Sequence, residues 1–208
     1  MTSLSPGSAD ALLFDLGRVV LDIDFSKAIA CWAGHAGCKP EAIVTRYVRD
    51  SEAYRLHEVG KISDEDYFET LRASLGIRIS DAQFLEGWNA IFAGEMPDIA
   101  ELLPRAARHL PLYVFSNTNR PHIDHFSKQY ADVLGHFREL YLSSSIGLRK
   151  PDAEAFDHVI AAIGVPAPRI VFFDDLAENV EGARARGLNA VHVTSPRDVG
   201  DALKALGI

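Results

Sequence analysis

At 208 residues, 48 % of them hydrophobic, the chain can bury one large core, or a core with a small insertion, and is too apolar to stay disordered. A formal charge of −8 offers nothing to neutralise a phosphate backbone, which excludes nucleic acid as the main partner. No stretch approaches the roughly 20 apolar residues of a membrane span, and Met1 to Asp10 lack the basic and apolar regions of a signal peptide, so a cytoplasmic protein with a disordered N-terminal tail and no membrane partner is expected.

In chain order, Ala11 to Phe14 is a short apolar run closed by Asp15 and, two residues on, Gly17. This pattern predicts a buried strand that ends at an acid and then turns. Open α/β sheets place their chemistry at the carboxyl ends of such strands. Read alone, Asp15 serves as well as a helix cap or a satisfied buried acid. From Phe25 to about Ile99 the periods are helical, with no convincing strand. Pro40 opens a helix with Ile43, Val44, Tyr47 and Val48 on one side. Ser63 with Asp66 forms a capping box before a helix that turns Tyr67, Phe68 and Leu71 inward. Ser80 starts another helix, which buries Phe84, Leu85 and Trp88. Cys31 and Cys38 flank His35, but a zinc site would need a fourth ligand and better spacing, so both thiols read as ordinary half-buried side chains.

Beyond Pro97 helix and strand alternate. A helix to about His109 precedes the strand Leu112 to Phe115, which ends in Ser116-Asn117-Thr118-Asn119. After a helix following Pro121 and a short strand near Leu140 to Leu142, the basic loop Gly147 to Pro151 carries Lys150 into a helix from Asp152 to Ile163. The strand Ile170 to Phe173 ends at Asp174-Asp175 and leads into a helix from Ala177 to Arg186, which Gly187 stops. Ala190 to Val193 is the last strand. Such units imply an α/β fold with a doubly wound, mainly parallel sheet and helices on both faces.

Four apolar runs or loops thus close on a carboxylate, a hydroxyl with an amide, a lysine and an acidic pair, in that order. Order and context resemble the haloacid dehalogenase-like hydrolase superfamily, from Ala11 to Val193, and most of its members are phosphatases. Phe14-Asp15-Leu16-Gly17 with Asp22-Ile23-Asp24-Phe25, Ser116 to Arg120 and Arg149-Lys150-Pro151 are similar to bacterial phosphatases acting on α-D-glucose 1-phosphate. The resemblance implies a Rossmann-like core of residues 1–23 and 97–208 with a small helical cap, 24–96, inserted after the first strand. The alternative is that the same helices complete one compact domain.

The resemblance also implies roles. Asp15 would attack phosphorus to form an aspartyl-phosphate, and Lys150, Ser116 and Asn117 would offset the charge of the phosphoryl group. Mg²⁺, a hard cation, would sit on Asp15, the Gly17 carbonyl and Asp175, with Asp174 in support. Most members carry a second aspartate two residues after the nucleophile, which protonates the leaving oxygen and then activates water. Here that position is Gly17. A cap residue, His57 or Glu58, could replace it and touch substrate, or both could form a solvated helix end before Gly60. A sugar 1-phosphate, whose anomeric oxygen leaves readily, would need the acid least. Two other readings stay open: a metal-free dehalogenase, to which an acidic pair is of no use, and a weakly active or non-catalytic phosphometabolite-binding protein. The expected partner is a small phosphate ester handled by a monomer or small homo-oligomer.

Overall fold

The computed structural model describes residues 4–48 and 51–208. Its first half contains β1 (Ala11–Phe14), β2 (Leu21–Ile23), α1 (Phe25–Ala36), α2 (Pro40–Val44), α3 (Glu52–Glu58), α4 (Asp64–Leu75), α5 (Asp81–Asn89), β3 (Phe92–Glu95) and α6 (Ile99–Ala107). The second half contains β4 (Leu112–Ser116), α7 (Arg120–Gln129), α8 (Ala131–Leu134), β5 (Glu139–Leu142), α9 (Ser143–Ile146) and α10 (Ala153–Ile163), then β6 (Ile170–Asp174), α11 (Ala177–Ala185), β7 (Asn189–His192) and α12 (Arg197–Ala205).

Five strands form one parallel sheet in the order β5-β4-β1-β6-β7. Its centre is buried from both sides, which is why β1, β4 and β6 read as continuous apolar runs rather than alternating ones. Leu12 and Phe14 pack with Val114, Val171 and Phe173 on one face, while Leu13 packs with Phe115, Phe156 and Phe172 on the other. Phe14 stacks on Phe173 at 4.6 Å between ring centroids. Each fully buried side chain of this kind contributes about 1.5–3 kcal/mol. The chain runs from β1 to β4 and β5 on one side, then crosses to β6 and β7 on the other. That change of direction brings the carboxyl ends of β1, β4 and β6 together, with Phe14 in register with both Val114 and Phe173.

Helices α1, α2, α4 and α5 pack around a third core of their own, built on Trp32, Phe68, Phe84 and Trp88. The close approach of α1 to α5 requires a glycine, since a Cβ at Gly87 would lie 2.3 Å from Trp32 Nε1. The antiparallel pair β2 and β3 forms the stem from which these helices rise. Two bonds tie α5 to the sheet-bearing half: Trp88 Nε1 donates to Asn119 Oδ1 (3.1 Å), and the His122 ring meets the Trp88 carbonyl through Nε2 (3.0 Å).

Several expectations fail on local grounds. Phe92–Glu95 is a strand, although its sequence shows little alternation, because pairing with β2 supplies its hydrogen bonds. Only the serine half of the box expected at Ser63 forms; the reciprocal box is at Ser80, where the longer Gln83 reaches back to the cap nitrogen. The helix from Pro40 ends at Val44 and buries Ile43 alone, leaving Val44 and Val48 exposed. Leu85 also faces solvent. Residues 4–10 are not a loose tail: Leu4 and Ala9 pack on the core and Asp10 pairs with Arg169. Residues 1–3 lie outside the described part.

Candidate active site

Asp15 directly follows β1, and its backbone N–H donates to Phe173 O of β6 at 2.8 Å. Ser116 ends β4, Asp174 ends β6, and Lys150 arrives from the loop between α9 and α10. Lys150 is 1 % exposed, and its Nζ donates to Asp15 Oδ1 (2.8 Å) and Asp174 Oδ2 (2.7 Å). The ammonium also lies 5.3 Å from the ring centroids of Phe115 and Phe172. Burial draws the ammonium pKa down, but Asp15 and Asp174 outweigh it, so the net shift is upward and Lys150 stays charged.

Asn117 holds this lysine in place. Its amide donates to the Lys150 carbonyl (2.8 Å) and its Oδ1 accepts from the Lys150 N–H (2.9 Å). The side chain therefore fixes the loop, and it also lines the cavity. Ser116 and Thr118 line the cavity beside it.

The two acids that close β6 differ. Asp174 is fully buried and accepts from Lys150, from Leu176 N–H (2.9 Å) and from Asn179 Nδ2 (3.0 and 3.1 Å), so its oxygens are occupied within the protein. Asp175 lines the cavity instead. Asp15, Asp174 and Asp175 each place an oxygen within 4.8 Å of the others. Burial pushes Asp15 up to about 7, with Asp174 and Asp175 adding to the rise and Lys150 opposing it. Asp175 is raised too, by burial and then by the charge of Asp174. Three crowded carboxylates share one buried ammonium, and a hard divalent cation bound by oxygen would relieve that crowding and displace a proton from Asp15. The donor set fits such an ion.

Beyond Asp15 the chain makes a tight turn. Gly17 pairs with Leu21, Arg18 N–H bonds Leu21 O (2.7 Å), and Arg18 takes φ 58°, strained for a residue with a Cβ. Gly17 itself has room for a side chain: a Cβ there would touch Ile23 at 3.4 Å and sit 3.8 Å from Asp15 Oδ2. That direction is bounded by Ile23 and by the Asp15 carboxylate itself.

The structure separates His57 from Glu58. His57 lies outside the cavity, stacked on Tyr67 at 4.3 Å and bonded through Nε2 to Asp64 (2.7 Å), with burial lowering its pKa. It belongs to the packing of α3 on α4. Glu58 does line the cavity, but its Oε2 accepts from Arg149 Nε at 3.1 Å, and Tyr54 bonds it as well. Ser143 Oγ donates to the Glu58 carbonyl (2.6 Å). Glu58 thus joins α3 to the Lys150 loop rather than standing ready as a free acid. Asp24 caps α1 through Ser26 N–H (2.9 Å). Cys31, His35 and Glu86 come together in the helical half as a cluster near the surface, without a fourth ligand among the described residues.

Two residues escaped the sequence reading. Asn179 lines the cavity and orients Asp174, while its own Oδ1 is buried without a partner among the described residues. Its position five residues after Asp174, on the first turns of α11, was the available signal. His122, held by Asn119 and Trp88 with a pKa lowered by burial to about 3, forms part of the cavity wall.

A cavity of about 360 Å³ connects these groups. A parallel sheet with a carboxylate, a hydroxyl, a lysine and an acidic pair at the carboxyl ends of its strands defines a class of hydrolase, and the comparisons place the chain in it. Residues 9–187 match the haloacid dehalogenase-like hydrolase family, to which the chain belongs. A sesquiterpene phosphatase of Aspergillus oryzae is 31 % identical over 150 residues, covering 70 % of this chain and 74 % of that one. A D-ribitol-5-phosphate phosphatase of Bacteroides thetaiotaomicron is 24 % identical over 182 residues, 85 % of this chain and 87 % of the relative. Among solved structures, a family enzyme from the same bacterium in complex with magnesium and inorganic phosphate superposes with a TM-score of 0.76 at 24 % identity, covering 88 % and 93 % of the two chains. Among the described residues no helix is long and apolar enough to cross a membrane.

Proposed function

We propose that this chain is a Mg²⁺-dependent phosphatase of small phosphate monoesters, acting through an aspartyl-phosphate on Asp15. The observation that carries the reading is Lys150 Nζ, buried and bonded to both Asp15 and Asp174 in the lining of a cavity that also includes Asp175. The ammonium orients the Asp15 carboxylate and offsets part of the negative charge of an arriving phosphoryl group. Ser116 and the N–H groups beyond it supply donors for phosphoryl oxygens. Mg²⁺ bound at Asp15, the Gly17 carbonyl and Asp175 would shield the attack of one anion on another. Asp174, fully engaged by Lys150, Leu176 and Asn179, supports the site from behind, which favours Asp175 as the direct ligand. The phosphatase names of both relatives and the magnesium and phosphate in the solved neighbour support the same reading. The helical segment 24–96 acts as a cap over the core formed by 1–23 and 97–208.

The test is phosphate release with and without metal. Activity should vanish with a chelator, return with Mg²⁺, and fall by about 10²-fold or more in Asp175→Ala. Full phosphate release in chelated protein would remove the Mg²⁺ requirement, and halide release from a 2-haloacid without phosphate release would favour a dehalogenase.

Gly17 makes a further demand. With Glu58 tied to Arg149 and His57 outside the cavity, protonation of the leaving oxygen is weak, a deficit of about 10²–10⁴ for alkyl esters. Rates should therefore climb steeply as the leaving group improves: 4-nitrophenyl phosphate over phenyl phosphate, and glucose 1-phosphate over glucose 6-phosphate. A flat series would show that another group supplies the proton.

A further inference from the structure

Resting on the phosphatase reading, the structure assigns the leaving-group end of the cavity to an apolar organic group, such as an alkyl, isoprenoid or aryl body, rather than to a polyhydroxylated one. Besides the polar groups the cavity lining includes Leu21, Ile23, Phe25, Phe92, Phe126 and Leu176. Leu21 and Phe126 are fully buried, but the other four are not. Leu176 keeps 39 % of its surface exposed, and Ile23, Phe25 and Phe92 are half-buried. Apolar surface left uncovered around an active-site cavity is a binding feature, because a ligand's apolar group gains from covering it.

Two polar groups on the same wall, Glu58 and His122, are already committed, while Arg18 and Glu178 are exposed lining residues. Glu58 is bonded by Arg149 and by Tyr54, and His122 uses one ring nitrogen on Asn119 and the other on the Trp88 carbonyl. A sugar ring entering this space would strip water from several hydroxyls and find those partners engaged, and each unsatisfied hydroxyl carries a penalty. A hydrocarbon meets no such cost. At position 17 a Cβ would meet Ile23 at 3.4 Å and Asp15 Oδ2 at 3.8 Å, so the glycine leaves Ile23 uncovered there.

The experiment measures kcat/KM for phosphate release, with Mg²⁺, from butyl, hexyl and octyl phosphate and from glucose 6-phosphate. All four leave as primary alkoxides, so the missing acid affects them alike. Efficiency should rise by up to about fourfold per added methylene until the cavity is filled, and octyl phosphate should exceed glucose 6-phosphate by about a hundredfold. Leu176→Asn places a favourable cap residue at the start of α11, so the helix is retained. In that variant and in Ile23→Asn the chain-length dependence should flatten while inhibition by orthophosphate is unchanged. Equal or better turnover of glucose 6-phosphate, or a chain-length dependence that survives both variants, would overturn the assignment while leaving the phosphatase reading intact. No phosphate release from any of the four, nor from 4-nitrophenyl phosphate, would overturn both.

Discussion

Asp15→Asn should lower turnover to below about a hundredth of the wild-type value while leaving the fold in place, because an amide cannot form the covalent link to phosphorus. The substitution is nearly isosteric in a position 8 % exposed, and it replaces a carboxylate whose ionisation burial opposes. Thermal stability should therefore be equal or higher, and orthophosphate should still bind with Mg²⁺ present. Steady-state phosphate release and a thermal unfolding curve, run side by side, check both halves. Retained activity would mean that a different group attacks.

Lys150→Met should be damaging in two separable ways. Removing the ammonium leaves Asp15 and Asp174 facing each other in a buried site, and breaking a buried pair in this manner costs about 3–5 kcal/mol. For a chain of this size that corresponds to a fall of roughly 10 °C in melting temperature. Activity should drop by more than about a hundredfold even where the protein remains folded, since the charge that orients the nucleophile is gone. Adding Asp15→Asn to Lys150→Met removes one of the stranded charges, so the double variant should recover part of the lost stability. A melting temperature unchanged by Lys150→Met would show that the lysine is not the counter-charge of this site.

Much of the core was legible in the sequence because a parallel sheet buried on both faces leaves continuous apolar runs. Leu12 to Phe14, Leu112 to Phe115 and Ile170 to Phe173 are such runs, each closed by a polar residue at the edge where the site forms. Long-range pairing was not legible. Nothing in Phe92 to Glu95 marks a strand until Leu21 to Ile23 lies opposite it, and nothing near Glu58 announces that Arg149, 91 residues away, will hold it. His57 misled for the same reason: its neighbours Tyr67 and Asp64 decide its role, and they belong to a different helix. The character of the cavity wall was also hidden, because Ile23 and Phe25, Phe92, and Leu176 come from three separate segments and each alone reads as ordinary core. The final helix, Arg197–Ala205, shows the remaining limit: its short apolar stripe of Val199, Ala202 and Leu203 gains meaning only once it packs on the sheet.

Acid-quenching the Mg²⁺-loaded protein during turnover of 4-nitrophenyl phosphate, followed by mass spectrometry of the peptide that contains Asp15, tests the central claim most directly. A carboxylate that attacks phosphorus must carry the phosphoryl group between two chemical steps, and with Gly17 where an acid would activate water the second step is the slower one. One phosphoryl group should therefore accumulate on Asp15, vanish after neutral hydroxylamine treatment, and be absent from Asp15→Asn. A protein that turns the substrate over at full rate with no phosphoryl group on that peptide would contradict the account.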